Sequence, residues 1–406
     1  MRALFVIFFL LRIGNHDITI GANSDHVHRL LATGECVNCD LTFADLSGPT
    51  FNLRYLNLKG ADLTGAFLQG TDLSSSNVEE ATFNFATIIN ASFNHVNAKK
   101  AKFEGARFKN SKFRGANLKN ANFSFAKFNN TSFNHAHLID TNFRGAQLKE
   151  SDFRFSTLEQ VNFRRSILEN TIFRLASISR SDFLSSMAEN ADFSGTHITE
   201  TNFNNARLNH VKFYGSTITQ SSFQGANLPK TTFIGSQLIN VDLLSISGNE
   251  IDFSRSRLTY VNLAGSHLPS GKFDFSRLSH VNFNHSKIGK SSFRQVRIDQ
   301  SSLEGSNLDF AEMKSTSLAQ ISLRYSSNKG ANYSRSNLFN SDLTRANFSR
   351  ANFIEANLTE AVLEETNLTE ANLEKAILHQ TKLDSAILCD TILPPGTSID
   401  QCGWLP

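Results

Sequence analysis

The chain has 406 residues, a formal net charge of +3 and 36 phenylalanines beside one tryptophan and five tyrosines. This length would suffice for two or three globular domains or for one long repeat array. A charge so close to zero points to no class of partner. Ordinary cores mix side-chain shapes to fill irregular space, so the excess of a single aromatic residue indicates an internal repeat.

The N-terminal segment is typical of a secretory signal peptide. Met1 and Arg2 precede an apolar run over residues 3–11, and Gly21 and Ala22 supply small residues near a cleavage position. The run is far too short to span a membrane. We therefore predict a signal peptide at residues 1–22 and a periplasmic or secreted protein. The alternative is a cytoplasmic protein with an apolar N-terminal helix.

A short helix is predicted directly after this segment. Ser24 and Asp25 can cap its start and Gly34 can end it. Its apolar face holds Val27, Leu30 and Leu31. Repeat arrays need a cover on their open ends, so we predict that residues 23–38 form an N-terminal helical cap.

Four cysteines lie near the two ends of the chain, namely Cys36, Cys39, Cys389 and Cys402. In an oxidising compartment they predict two local disulfides, one at each end. Cys39 also fits the role of a small buried apolar residue. A metal site formed by the first pair with His26 and His28 is the other alternative. Residues two apart on a helix point to different faces, so the two histidines do not easily converge and we predict no metal.

A period of five residues runs without insertion or deletion from Leu53 to Leu393. Positions ending in 3 or 8 are bulky and apolar and positions ending in 1 or 6 are small, as in Ala121, Phe123 and Ala126. This period fits neither the 3.6-residue helix nor the two-residue strand. A chain that hides two residues in five can bury them only by stacking on its own next turn, as solenoids do.

The repeat resembles the pentapeptide-repeat family, whose units read as a small residue, Asp or Asn, Leu or Phe, and two polar residues. Matching units begin at Cys39 and include Ala61-Asp62-Leu63 and Ala371-Asn372-Leu373. The resemblance implies an all-β fold, a right-handed quadrilateral β-helix with four units per coil and the bulky side chains on its axis. It assigns residues 39–393 to the solenoid, about seventeen coils at twenty residues each, and residues 394–406 to a C-terminal cap.

The bulky positions carry a second period of ten, because every second one from Phe83 to Phe233 is phenylalanine. With four units per coil, residues twenty apart stack on one wall, so two facing walls should carry phenylalanine ladders. Seven inward positions depart from the pattern: Ala98, Ala188, Gly248 and Asn328 replace bulky residues, and Ile246, Ile251 and Ile321 replace small ones. We predict local repacking of the core at these positions.

The segment Ser47-Gly48-Pro49-Thr50 adds two residues to the five-residue period and predicts a kinked turn in the first coil.

The uninterrupted repeat leaves little room for an active site, and neither a phosphate loop nor a nucleophile elbow is present. We therefore predict no enzyme, no catalytic, cofactor-binding or metal residue, and no cofactor.

Outward charge is uneven along the chain. Residues 95–170 hold fourteen Lys and Arg against six Asp and Glu, and residues 346–400 hold three Lys and Arg against nine Asp and Glu. At the acidic end one slot of successive units is filled by Glu355, Glu360, Glu365 and Glu370.

The sequence thus favours a structural or protein-interaction rod that presents flat β-sheet faces to an unknown protein or anionic polymer. Basic residues such as Arg114, Arg144 and Arg154 would carry this contact. They follow no single stripe, so a nucleic acid is not favoured; a homodimer through a solenoid end is a further option. Some members of the family that this chain resembles imitate duplex DNA and act on DNA gyrase. A cytosolic protein of that type is the alternative, but it requires a broadly acidic rod.

Overall fold

The computed structural model describes residues 22–48, 53–383 and 385–397. Two compact units divide the chain, Met1–Met187 and Ala188–Pro406. Each unit is a parallel β-solenoid of turns, single bridges and three-residue strands. The predicted signal peptide apart from Ala22, and residues 398–406 of the predicted C-terminal cap, lie outside the described residues. Among the described residues no helix is long and apolar enough to cross a membrane.

Helix α1 spans Ser24–Thr33 in the first unit. Its N-cap is Asn23, whose side-chain oxygen accepts hydrogen bonds from the backbone N–H groups of Asp25 and His26. The prediction that Ser24 and Asp25 cap the helix was therefore one residue late, because Asn23 is an equally good cap. The predicted end at Gly34 is confirmed, with φ of 71° and its N–H donating to the Leu30 carbonyl.

The described residues contain fourteen strands of three residues each. The first unit contains β1 (Phe67–Gln69), β2 (Thr87–Ile89), β3 (Arg107–Lys109), β4 (Lys127–Asn129), β5 (His137–Ile139), β6 (Gln147–Lys149), β7 (Thr157–Glu159) and β8 (Ser177–Ser179). The second unit contains β9 (His197–Thr199), β10 (Thr217–Thr219), β11 (Gln237–Ile239), β12 (Arg257–Thr259), β13 (Arg277–Ser279) and β14 (Arg297–Asp299).

These strands pair in parallel within each unit. In the first unit β1, β2, β3, β4 and β6 form one sheet, and β5, β7 and β8 form another stack. In the second unit β9 to β14 pair in chain order. The central residue of every strand is buried and its two neighbours face outward, as the period-two geometry of a strand requires.

Parallel bridges stack the coils at a step of twenty residues. Each five-residue repeat of a coil pairs with the repeat twenty residues on, as the repeats of Asn57, Asp62, Phe67 and Asp72 do. Four such rows of pairing per coil confirm the four-sided fold. The first step is longer, because Asp40 pairs with Asp62 across the predicted two-residue excess. The number of coils differs slightly from the predicted seventeen. Residues 49–52 of the predicted kink lie outside the described residues.

Inward side chains fill the axis of each unit. In the first unit Phe83 and Phe103, twenty residues apart, stack with ring centroids at 4.9 Å. Phe93, on the opposite wall, meets Phe83 edge to face at 5.9 Å. In the second unit Phe213 and Phe233 stack at 4.8 Å. The phenylalanine walls are confirmed, and both ring arrangements are those that aromatic quadrupoles favour.

Four of the irregular inward positions show how the core is repacked in the second unit. Gly248 has no side chain, and the neighbouring small positions are filled by Ile246 and Ile251, which are both fully buried. Asn328 is buried as well and accepts a hydrogen bond of 2.6 Å from the Tyr333 hydroxyl. These substitutions compensate one another locally, as predicted.

Candidate interaction surface

The most distinctive outward feature is a row of arginines on the second unit, which we call the arginine ladder: Arg257, Arg277 and Arg297. They open the adjacent parallel strands β12, β13 and β14 and lie in register, one per coil. All three are exposed. Together with Thr259 and Ser279 they line a shallow depression in the sheet surface. The sheet therefore presents a straight line of cations at the spacing of neighbouring strands, about 4.8 Å.

The ladder is only partly neutralised. Nε of Arg297 lies 2.7 Å from the carboxylate of Asp299 on the same strand. Within the described residues Arg257 and Arg277 make no ion pair. Like charges directly opposite one another in a sheet are destabilising, so this arrangement does not serve the fold.

Other arginines of the second unit do have acidic partners on a neighbouring coil. Arg335 pairs with Glu355, Arg345 with Glu365 and Arg350 with Glu370, each twenty residues on, at 2.8 to 2.9 Å. The hydrogen bonds from Arg345 and Arg350 lower the pKa of Glu365 and of Glu370. Three of the four glutamates of the predicted acidic slot are thus neutralised by the previous coil.

Asp274 forms the most enclosed of these pairs. Arg294, on the next coil, donates to it from Nη2 at 2.8 Å, and Ser292 also donates to its carboxylate. Burial by itself raises the pKa of Asp274, but the hydrogen bonds from Arg294 and Ser292 outweigh burial and leave the pKa below its ordinary value. The carboxylate is therefore held in its charged form.

The basic residues predicted to carry the contact lie in the first unit. Arg114, Arg144 and Arg154 are all exposed, in agreement with the five-residue frame. Arg154 is already paired, because its Nη2 lies 2.6 Å from the Asp152 carboxylate. Arg144 belongs to a different wall from the other two, so the three do not form one site.

Exposed aromatic rings in the first unit pack over glycines of the next coil. A Cβ added to Gly105 would lie 2.6 Å from the Phe85 ring, and one added to Gly145 would lie 2.8 Å from the Phe125 ring. All four residues are the last of a five-residue repeat and have a positive φ, a conformation that suits glycine and is costly for phenylalanine. The alternation of ring and glycine lets each ring lie along the surface.

The cysteines and histidines at the N-terminal end are engaged separately. Cys36 and Cys39 form a close pair with Cα atoms 5.3 Å apart and their sulfur atoms at bonding distance. His26 Nδ1 accepts a hydrogen bond from the Asp40 backbone, and His28 Nδ1 contacts the Ser24 carbonyl. Nothing brings the two imidazoles together. The second predicted pair cannot be placed, because Cys402 lies outside the described residues.

Family models match most of the solenoid. The model described as pentapeptide repeat region matches residues 96–173. The model described as pentapeptide repeats (8 copies) matches residues 35–79, 156–195, 189–225, 206–243, 316–354, 331–369 and 351–390. The chain belongs to the pentapeptide-repeat family. No curated protein sequence matches this pentapeptide-repeat protein significantly.

Solved pentapeptide-repeat structures are among its structural neighbours. QnrB1, a plasmid-mediated fluoroquinolone resistance protein, is 12% identical over 46% of this chain and 90% of its own, with a TM-score of 0.30. HetL from Nostoc sp. strain PCC 7120, involved in heterocyst differentiation regulation, is 17% identical over 74% and 92%, with a TM-score of 0.14. Rfr23 from Cyanothece 51142 is 24% identical over 32% and 92%, with a TM-score of 0.18. These values are too low to transfer a function.

Sequence reasoning overlooked the arginine ladder. Residues 251–300 hold eight Lys and Arg against three Asp, but a count along the chain does not show which of these cations share one wall. The signal was a recurrence of arginine at one position of the twenty-residue coil, which is visible in Arg257, Arg277 and Arg297 once the coil length is known.

Proposed function

We propose that this pentapeptide-repeat protein is an exported, non-enzymatic scaffold that binds a protein or an anionic polymer on its flat outward faces. The observation that carries the proposal is the exposed arginine ladder, in which Arg257 and Arg277 have no acidic partner among the described residues. An array of unneutralised cations attracts an external anion and steers its approach.

The non-enzymatic part of the proposal rests on how the chain distributes its polar groups. Catalysis requires several polar side chains that converge on one point of a pocket. In the described residues the coil axis is filled by apolar side chains such as Phe153 and Leu158. Outward side chains instead stand side by side on sheet faces, where they suit contact with a long partner.

Export is supported by the N-terminal sequence pattern and by the close pair of Cys36 and Cys39, which an oxidising compartment would lock as a disulfide. We expect the mature protein to begin near Asn23 and to contain no titratable thiol. N-terminal sequencing and thiol titration of protein from its native compartment measure both. Four titratable thiols would contradict export and the disulfides together.

The alternative is a cytosolic DNA mimic that interacts with DNA gyrase. A DNA mimic needs a broadly acidic surface, whereas this sequence carries a net charge of +3. The acidic end is also neutralised in part, because arginines pair with Glu355, Glu365 and Glu370. Cell fractionation combined with a gyrase supercoiling assay separates the two functions. A cytosolic location with an effect on supercoiling would replace our proposal.

Binding itself is tested by capture of partners from periplasmic and cytosolic extracts. The wild type is compared with a variant in which Arg257, Arg277 and Arg297 are changed to Glu, since all three side chains are exposed. We expect weaker, salt-dependent capture by the variant because exposed charges act over about 8 to 10 Å. Identical partners on both proteins would contradict a role for this charge. Light scattering measures whether a second copy docks on a solenoid end.

A further inference from the structure

The arginine ladder differs from the rows of Arg335, Arg345 and Arg350 in the residue that the next coil places opposite each arginine. Where a row contains Arg335, Arg345 or Arg350, the next coil supplies a glutamate at the same position. On β12 and β13 the next coil supplies another arginine. Because in-register like charges repel, the ladder costs stability, and the chain offers Arg257 and Arg277 no acidic partner among its described residues.

The flanks of the ladder carry groups that suit a sugar. Thr259 and Ser279 lie two residues further along the same strands and place hydroxyls beside the cations. Tyr260 directly follows β12, at the turn to the next wall, and its ring centroid lies 4.3 Å from that of His280. On the other side Phe275 is 54% exposed. The cations are therefore bordered by hydrogen-bonding groups and by aromatic surface.

We propose that the arginine ladder binds a linear acidic polysaccharide with one carboxylate per sugar, a polyuronate, laid along the stacked strands. Arg257 and Arg277 each hold a carboxylate of this chain, because a guanidinium matches a carboxylate with two parallel hydrogen bonds. The strand spacing of about 4.8 Å is comparable to the length of one sugar in an extended chain. This inference rests on the proposed function and names its polymer.

The neighbouring groups favour this polymer over a nucleic acid. Sequence-tolerant binding of single strands uses successive aromatic platforms, one for each unstacked base. Here the positions that follow β12 and β13 carry Tyr260 and His280, whose rings contact each other at an angle of 31°, and the position that follows β14 carries Gln300. Threonine and serine hydroxyls beside the cations instead fit the hydroxyl groups of a sugar chain. The exposed rings of Tyr260 and Phe275 suit the apolar faces of sugar rings.

The experiment measures binding of a defined oligogalacturonate to the full chain by isothermal titration calorimetry. The test variant changes Arg257 and Arg277 to Gln. The matched control changes Arg345 and Arg350 to Gln, which removes the same charge from arginines that already have acidic partners. We expect the test variant to bind about a hundredfold more weakly, roughly tenfold for each arginine, and the control to bind within about threefold of wild type.

Two further probes fix the chemistry. A fully methyl-esterified oligogalacturonate should not bind, because it lacks the charged carboxylates. Oligothymidylate should bind more weakly than the uronate. Equal binding of the ester, tighter binding of the oligonucleotide, or equal loss in the two variants would each overturn the proposal. So would a wild type that binds none of the probes, but salt-dependent capture from extracts would then still support the proposed function.

Thermal unfolding of the test variant shows whether a loss of binding results from a loss of structure. Removal of Arg257 and Arg277 relieves repulsion, so the test variant should melt at or above the wild-type temperature. A merely structural role for the ladder predicts the opposite. A melting temperature clearly below that of the wild type would contradict the assignment of the ladder to a ligand.

Discussion

Replacement of Phe153 by Ala tests the inward assignment of the bulky positions. Its ring is fully buried and stacks on Phe133 at 4.7 Å and on Phe173 at 5.0 Å. It also meets Phe143 and Phe163 edge to face at 5.9 and 6.0 Å. Truncation of a buried phenylalanine leaves a cavity and costs about 3–5 kcal/mol. For a unit of this size that loss corresponds to a fall in melting temperature of roughly 6 to 20 °C.

The adjacent Arg154 supplies the control, since it is exposed and its ion pair with Asp152 is of the kind worth about 1 kcal/mol at most. Thermal unfolding followed by circular dichroism compares Phe153→Ala with Arg154→Ala. Hydrogen exchange should show the loss of protection spreading to the coils above and below Phe153, because each coil contacts only its neighbours. Equal melting temperatures for the two variants would refute the inward frame and the four-sided coil with it.

Three other positions give independent tests. Because the pKa of Asp274 lies below its ordinary value of 3.8, its carboxylate stabilises the fold above that pH, and this contribution is lost as the pH falls through the lowered pKa. Asp274→Asn should therefore reduce the dependence of the melting temperature on pH between about pH 2 and 5. An unchanged dependence would contradict this expectation. Tyr333→Phe leaves the buried Asn328 oxygen without its donor and should cost about 1–3 kcal/mol, much of it recovered in the double variant with Asn328→Leu. Gly105→Ala should destabilise by about 1 kcal/mol or more, and Phe85→Ala should relieve part of that loss if the ring is the obstacle.

The repeat allowed the sequence to predict the fold and the direction of each side chain. Phe153 and Leu158 are inside and Arg154 is outside because the five-residue frame admits no other choice. Ends of elements were predictable where one residue type is strongly favoured, as for Gly34. They were less so where several candidates compete, since Asn23, Ser24 and Asp25 can each cap a helix.

Contacts between coils were harder to predict than positions within one coil. The pairs of Arg345 with Glu365 and of Arg350 with Glu370 join residues twenty apart, so they are invisible to a count of charge along the chain. The same reason hid the arginine ladder. By contrast, Asn328 and Tyr333 are only five apart at successive inward positions, so their hydrogen bond could have been anticipated.

The twenty-residue step also limits how the length of this chain can change in evolution or design. Gain or loss of a whole coil keeps every later residue on its own wall. Gain of a single five-residue unit would keep inward residues inward but would turn all later walls by a quarter revolution. A five-residue repeat inserted between Arg257 and Arg277 would place the second arginine on the next wall, so the two arginines would no longer lie in one row. The two-residue excess near Gly48 is tolerated where only one coil precedes it, and duplications in multiples of twenty are the changes that preserve a binding face.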